Sequence, residues 1–141
     1  MAVSAELSVR RGREAIAFYV AAFGAKVLYQ VGGTDEAPEI VAELALDGTT
    51  FWVSDEAPEY GNHSPESLGG CTVRLLLRVD DPASVQAHAV RLGAIEVDSV
   101  KPSHGWLLGR ITDPFGHAWE IGKPLIPWPP ASGRPEHGPH N

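Results

Sequence analysis

The stretch DPFGHAWEI, from Asp113 to Ile121, decides the fold because an earlier stretch of the chain matches it. The earlier stretch is DGTTFWV, from Asp47 to Val53, and the two align when Gly48 is set on Gly116. Each one combines a turn signal with the start of an apolar strand, and Asp-Gly between two apolar runs is a strong hairpin signal. The chain is therefore predicted to contain one structural unit twice.

The match extends upstream of both stretches. Val9–Val27 and Val79–Val97 share an apolar strand end, a polar break, an amphipathic segment, a Gly-Ala pair and a second apolar run. The alternative interpretation is a chance similarity between two strand-helix-strand segments. A true duplication would place equivalent side chains on both sides of a pseudo-two-fold axis, so a site between the halves can be predicted by comparing them.

Alternation of apolar residues predicts the strands, and three- and four-residue spacing predicts the helices. The predicted strands are 3–9, 25–31, 40–46, 49–54, 72–79, 95–100, 106–112 and 117–121, and the helices are 13–23 and 82–92. Cys71 precedes an apolar strand and is predicted to be a buried, inert thiol.

The predicted organisation is a single domain over residues 1–122 and a flexible, Pro-rich tail over residues 123–141. Within the domain, module one is 1–54, module two is 71–122, and residues 55–70 form a connector without a packed element. Trp128 could anchor the tail to the domain or to a partner, and an idle tail is the alternative.

Composition excludes several classes of function. A net charge of −7 argues against nonspecific binding to nucleic acid. No apolar run approaches the roughly 18 residues that span a bilayer, and the N-terminus lacks a secretion signal. A single cysteine fits a reducing compartment, so a cytoplasmic location without nucleic-acid or membrane partners is expected.

Four motifs give the chain a recognisable family likeness. They are AIAFY at 15–19 with Phe23-Gly24-Ala25, SPESLGG at 64–70, RVDD at 78–81 and the closing stretch 113–121. With these motifs the chain resembles the vicinal oxygen chelate superfamily, which includes glyoxalase I, the bleomycin-resistance proteins and extradiol dioxygenases. The resemblance implies an α+β fold of two tandem βαβββ modules, which form a curled mixed sheet around a cavity, and a homodimer.

The resemblance also implies where a metal would bind. In metal-dependent members four ligands come from strands one and four of each module, and these positions are Ser4, Trp52, Arg74 and Glu120 here. Only Glu120 is a good metal ligand, and a neighbouring guanidinium disfavours a cation. We therefore predict no metal and no cofactor, with Arg74 as the positive charge paired to Glu120. Glu120 could also be retained only to neutralise Arg74.

The remaining site residues follow from alternation along the strands. Leu76 and Arg78 share the face of Arg74, and strand seven contributes either Trp106 and Leu108 or Leu107 and Gly109. The predicted ligand-binding residues are Trp52, Arg74, Leu76, Arg78, Trp106 and Glu120. This lining suits an apolar or aromatic organic ligand, unless both tryptophans only fill the core.

Three functions remain open at this point. The first is a metal-free small-molecule-binding protein, similar to the bleomycin-resistance branch and so implying antibiotic resistance. The second is a glyoxalase-like lyase or isomerase with Glu120 as general base or metal ligand, so the sequence leaves open whether the protein is an enzyme. The third is an interaction module that uses Trp128 in the tail.

Overall fold

The computed structural model describes residues 1–131, so the predicted tail beyond Ala131 lies outside the described residues. The chain forms two compact units. The first unit comprises Met1–Thr72 and Pro114–His117, and the second comprises Val73–Asp113 and the chain from Ala118 onward. Within residues 1–131 no helix combines the length and the apolar character needed to cross a membrane.

Each unit repeats the same order of elements. The first contains β1 (Ala5–Val9), α1 (Gly12–Phe23), β2 (Lys26–Gly32), β3 (Ile40–Leu46) and β4 (Thr49–Asp55), followed by a 3-10 turn (Pro58–Tyr60) and α2 (Pro65–Leu68). The second contains β5 (Arg74–Arg78), α3 (Pro82–Arg91), β6 (Ile95–Ser103), β7 (Trp106–Thr112) and β8 (Ala118–Pro124). Strand β8 therefore extends two residues into the predicted tail.

The two sheets have the same topology. Sheet 1 has the order β1-β4-β3-β2 and sheet 2 the order β5-β8-β7-β6, each with four strands. The first strand of each unit pairs in parallel with its fourth, and the other pairs are antiparallel. The predicted α+β class with two βαβββ modules is confirmed.

The strand register confirms the predicted equivalence of the two halves. Glu6 lies opposite Trp52 in sheet 1, and Leu76 lies opposite Glu120 in sheet 2. Trp52 and Glu120 each lie four residues after their turn glycine, so their strand partners Glu6 and Leu76 are also equivalent. Two residues back along each first strand, Ser4 therefore corresponds to Arg74.

The core of the first unit lies between sheet 1 and α1. Leu44 and Val53 are fully buried, and the Phe51 ring packs edge-on against Tyr19 of α1 at 5.7 Å. These side chains alternate along their strands with the residues that point away from α1. Burial of an aromatic or branched side chain contributes about 1.5–3 kcal/mol each, so this layer holds α1 on the sheet.

The core of the second unit is built in the same way under α3. Ile111 and Ile121 are fully buried, and Trp119 is buried with its indole N–H donating to the Asp113 carboxylate at 2.9 Å. Gly109 contacts α3 so closely that a Cβ there would overlap the Gln86 carboxamide. Gly109 therefore faces the helix, and its neighbours Leu108 and Arg110 face the other way.

The two main helices begin in different ways. In α3 the Asp81 side chain accepts a hydrogen bond from the Ser84 N–H at 3.2 Å, which is an ordinary N-cap. Arg11 holds the same place before α1 and gives no side-chain cap. Instead, the Asp55 carboxylate at the end of β4 accepts from the N–H groups of Gly12 and Ile40, both at 2.8 Å.

The prediction that the connector has no packed element is wrong. Ser64 is fully buried and caps α2 by accepting from the Ser67 N–H at 3.1 Å, with Pro65 in the first turn. The Glu56 carboxylate accepts from the Ser64 N–H and the Ser67 hydroxyl. These two bonds, the first being the larger cause, lower the pKa of Glu56.

The prediction of a buried Cys71 is also wrong. Cys71 is exposed because β5 begins only at Arg74, so the thiol lies in the approach to the strand and not within it. Its sulfur is 3.7 Å from the Gly116 carbonyl oxygen. The prediction of burial rested on the apolar residues that follow Cys71. These residues are not all buried either, since Val73 is 65% exposed.

Candidate functional site

Each sheet has one face against the helix of its own unit and one face turned away from it, which we call the distal face. The register and the side-chain alternation place the predicted site residues of the second unit on its distal face. The distal face of sheet 2 carries the side chains of Arg74, Leu76, Arg78, Asp98, Lys101, Trp106, Leu108, Arg110 and Glu120.

The predicted pair of Arg74 and Glu120 is present. The Arg74 Nε lies 3.5 Å from Glu120 Oε1, and the two side chains are 53% and 25% exposed. They sit on neighbouring strands, with Arg74 opposite Ala118 and therefore diagonal to Glu120. Leu76 is directly opposite Glu120 and is half exposed, so the carboxylate has an apolar neighbour as well as a cation.

The four predicted ligand positions do not suit a divalent cation. Ser4 precedes β1 and is exposed, Trp52 has no lone pair to offer, and Arg74 carries a fixed positive charge. The one carboxylate, Glu120, is next to that charge. Throughout residues 1–131 no three His, Cys, Asp or Glu side chains are grouped so as to hold a metal ion.

Trp106 is on the distal face with Leu108, which decides between the two predicted alternatives for strand β7. Trp106 is partly exposed and so is not a core residue. The Arg78 guanidinium carbon is 5.8 Å from the centre of its ring, within the range of a cation–π contact. The Trp128 ring meets Trp106 edge-on, with 5.4 Å between centres and 74° between planes.

The segment after β8 is tied to the turn between β6 and β7. That turn consists of His104 and Gly105, both with positive φ, which is the geometry of a two-residue hairpin loop. The Gly105 carbonyl accepts from the Leu125 N–H at 2.8 Å. This bond directs the chain so that Trp128 reaches Trp106.

Trp52 belongs to the distal face of sheet 1. It packs edge-on against Tyr29 of β2, with 6.0 Å between ring centres. Its strand neighbours in register are Glu6 on β1 and Glu43 on β3. Trp52 is partly exposed, so it too is not a core residue.

Sequence reasoning missed two residues of these faces. Arg110 lies opposite Glu120 on the distal face of sheet 2, and continued alternation from Leu108 would have found it. Tyr29 required the pairing of β2 with β3, including the irregularity in register between Val27 and Tyr29. Trp128 was predicted as a possible anchor of the tail, and its contact with Trp106 confirms an anchor to the domain. Its partner could not be predicted, because Trp128 lies among prolines outside any strand and has no periodic pattern.

Comparisons with known proteins agree with this architecture. A model of the Glyoxalase/Bleomycin resistance protein/Dioxygenase superfamily matches residues 2–121. An uncharacterised protein of Mycobacterium bovis is 38% identical over 128 residues, which cover 88% of this chain and 84% of that protein.

Solved structures give the same result. A gene product of Arabidopsis thaliana is 30% identical with a TM-score of 0.65, covering 86% of this chain and 95% of that one. A fosfomycin resistance protein of Listeria monocytogenes, solved with Mn(II) and sulfate, has a TM-score of 0.66 at 14% identity, covering 87% and 91%. At that identity the second likeness concerns the fold alone.

Proposed function

Because the chain belongs to the Glyoxalase/Bleomycin resistance protein/Dioxygenase superfamily, we propose that it is a metal-free small-molecule-binding protein that sequesters or carries an apolar or aromatic ligand. The single observation that carries the proposal is the ion pair of Arg74 and Glu120 at two of the four ligand positions. A guanidinium cannot lose its proton in a protein, so it repels a metal ion at any working pH.

The distal face of sheet 2 supports the ligand class. Leu76 is 51% exposed and Trp106 is partly exposed, although apolar side chains are the ones that gain most from leaving water. Arg74, Arg78 and Glu120 are polar groups close to this apolar surface. A few placed polar groups within an apolar lining are typical of sites for organic molecules.

Trp52 is proposed to bind ligand in the same manner on sheet 1. Its ring and that of Tyr29 form an edge-on pair that leaves both partly exposed.

We also propose that the protein acts in the cytoplasm as a homodimer. Light scattering in solution tests the second point, with a mass near 15.1 kDa contradicting it.

The test of the proposal begins with metal analysis of the purified protein after growth with zinc, manganese and nickel. We expect bound metal far below one ion per chain in the wild type and in Glu120→Gln alike. Quenching of tryptophan fluorescence by a panel of flat organic compounds, including antibiotics, then identifies ligands. The matched control is Glu14→Gln, because Glu14 is an exposed carboxylate on α1. The proposal would be overturned if the wild type and Glu14→Gln bound one divalent metal ion per chain and Glu120→Gln bound none.

A second candidate is a glyoxalase-like lyase or isomerase, favoured by one observation. Glu120 is a carboxylate of which only a quarter is exposed, beside a fixed cation. A carboxylate of this kind can remove a proton next to a carbonyl, and the Arg74 guanidinium can stabilise the enediolate oxygen that forms. Turnover of an α-ketoaldehyde thiol adduct that is lost in Glu120→Gln and kept in Glu14→Gln would favour this candidate. Background rates in all three proteins would dispose of it.

A further inference from the structure

We propose that the ligand is a planar aromatic anion such as an aromatic carboxylate, and that Arg78, Trp106 and Trp128 form the subsite that binds it. This inference rests on the proposed function, and it adds the charge of the ligand and a residue beyond the matched family region. Trp128 lies seven residues after the last residue of that region, Ile121.

The first support is the charge of the distal face of sheet 2. Its basic side chains are Arg74, Arg78, Lys101 and Arg110, and its acidic ones are Asp98 and Glu120. The whole chain has a net charge of −7, so this face concentrates positive charge in an acidic protein. A face with an excess of one charge raises the local concentration of ligands of the opposite charge.

The second support is that the basic groups differ in their partners. Arg74 forms an ion pair with Glu120, whereas Arg110 has Asp98 only as a strand neighbour, with no carboxylate of residues 1–131 within salt-bridge distance. Arg78 contacts the Trp106 ring, and among residues 1–131 no carboxylate lies within salt-bridge distance of it. A guanidinium in this state can bind a ligand carboxylate through two parallel hydrogen bonds.

The third support is the placement of the two indoles. Arg78 and Trp128 each lie within 6 Å of the Trp106 ring centre, at 5.8 and 5.4 Å. Trp128 is 37% exposed, which leaves indole surface for a ligand ring to cover. An aromatic pair adds stabilisation beyond the area that it buries. A flat ring bound to Trp128 would bring its acid group within reach of Arg78.

The fourth support is that Trp128 is held in place before any ligand arrives. The Leu125 N–H donates to the Gly105 carbonyl, so the segment is attached to the β6–β7 turn close to Trp106. A side chain that is already positioned loses less freedom when the ligand binds, which favours affinity.

The experiment uses two probes with the same ring system and different charge, 2-naphthoate and 2-naphthalenemethanol, titrated into the full chain by calorimetry. We expect naphthoate to bind about tenfold more tightly than the alcohol, since a hydrogen bond between two charged groups is stronger than one to a neutral hydroxyl. We also expect the preference to shrink in high salt, because the exposed cation is screened.

Variants then assign the preference to residues. Arg78→Gln should weaken naphthoate binding about tenfold and leave the alcohol within about twofold. Trp128→Ala should weaken both probes about three- to tenfold, and Trp128→Phe should restore most of that loss. The control is Arg91→Gln, an exposed arginine at the end of α3, which should change neither probe. Unchanged thermal unfolding of each variant shows that the fold is intact.

The outcomes separate this inference from the proposed function. Equal binding of both probes, or naphthoate binding that Arg78→Gln leaves intact, overturns the anion subsite while the binding function stands. Full binding of both probes by Trp128→Ala removes Trp128 from the subsite. Binding of neither probe overturns the subsite, and the proposed function falls as well only if the wider fluorescence panel also gives no ligand.

Discussion

Sheet 1 and sheet 2 have the same strand order and register, but their distal faces differ in chemistry. Trp52 in sheet 1 corresponds to Glu120 in sheet 2, and Glu6 corresponds to Leu76. The distal face of sheet 1 carries an aromatic pair with two acids, whereas that of sheet 2 carries four basic side chains, three of them arginines, and two acidic ones. The helix sides of both sheets, by contrast, are built around buried apolar side chains, which are Leu44, Phe51 and Val53 in sheet 1 and Ile111, Trp119 and Ile121 in sheet 2. The fold therefore depends on the helix sides, and the distal faces are free to differ.

The largest expected effects come from breaking the equivalent cores. Leu44 and Ile111 hold equivalent positions opposite Phe51 and Trp119, and both are fully buried. Leu44→Ala and Ile111→Ala should each lower the free energy of unfolding by about 2–5 kcal/mol, because each leaves a cavity. Chemical denaturation followed by circular dichroism measures both. A loss below about 1 kcal/mol at only one position would show that the two cores are not equivalent.

The next largest effects come from the two helix starts, which the halves build differently. Asp55→Ala removes the acceptor of two backbone N–H groups, and a cost of about 2–4 kcal/mol is expected. Asp81→Ala removes one N-cap bond and should cost about 1 kcal/mol. Denaturation midpoints of the two variants and of Asp55→Asn, which keeps one acceptor, give the ranking. An equal cost for both alanine variants would contradict the difference in capping.

The smallest expected effect is a pH dependence that arises from the first unit's connector. Hydrogen bonds from Ser64 and Ser67 hold the pKa of Glu56 below its ordinary value of 4.5. The stabilisation is therefore present above that value and is lost as the pH falls through the lowered pKa. Glu56→Gln should melt at a lower temperature than the wild type near neutral pH, with the gap closing on acidification. A gap that stays constant down to about pH 3 would contradict the assignment.

The sequence alone was sufficient to predict which strand residues face the helices and which positions of the two halves are equivalent. Gly48 and Gly116 aligned the two closing strands, and the alignment correctly paired Ser4 with Arg74 and Trp52 with Glu120. This worked because alternation along a strand has a strict period of two, so one aligned residue fixes the face of the others.

Other features required contacts between distant residues. The start of β5 at Arg74 and the exposure of Cys71 depend on where pairing with β8 begins, which apolar content does not indicate. Helix α2 escapes prediction although Ser64-Pro65 is an N-cap signal, because the Pro, Gly, Ser and Asn residues around it are typical of a loop. The contact of Trp128 with Trp106 depends on one backbone bond to a turn.

The bond between Leu125 and Gly105 has a practical consequence for anyone who shortens this protein. The matched family region stops at Ile121, which invites a cut there. Such a cut would delete the last residues of β8, free the Gly105 carbonyl and strip the indole from Trp106. If a protein truncated at Ile121 failed to bind a compound, the loss could be due to the missing Trp128 alone. The result would then give no information about the binding residues that remain.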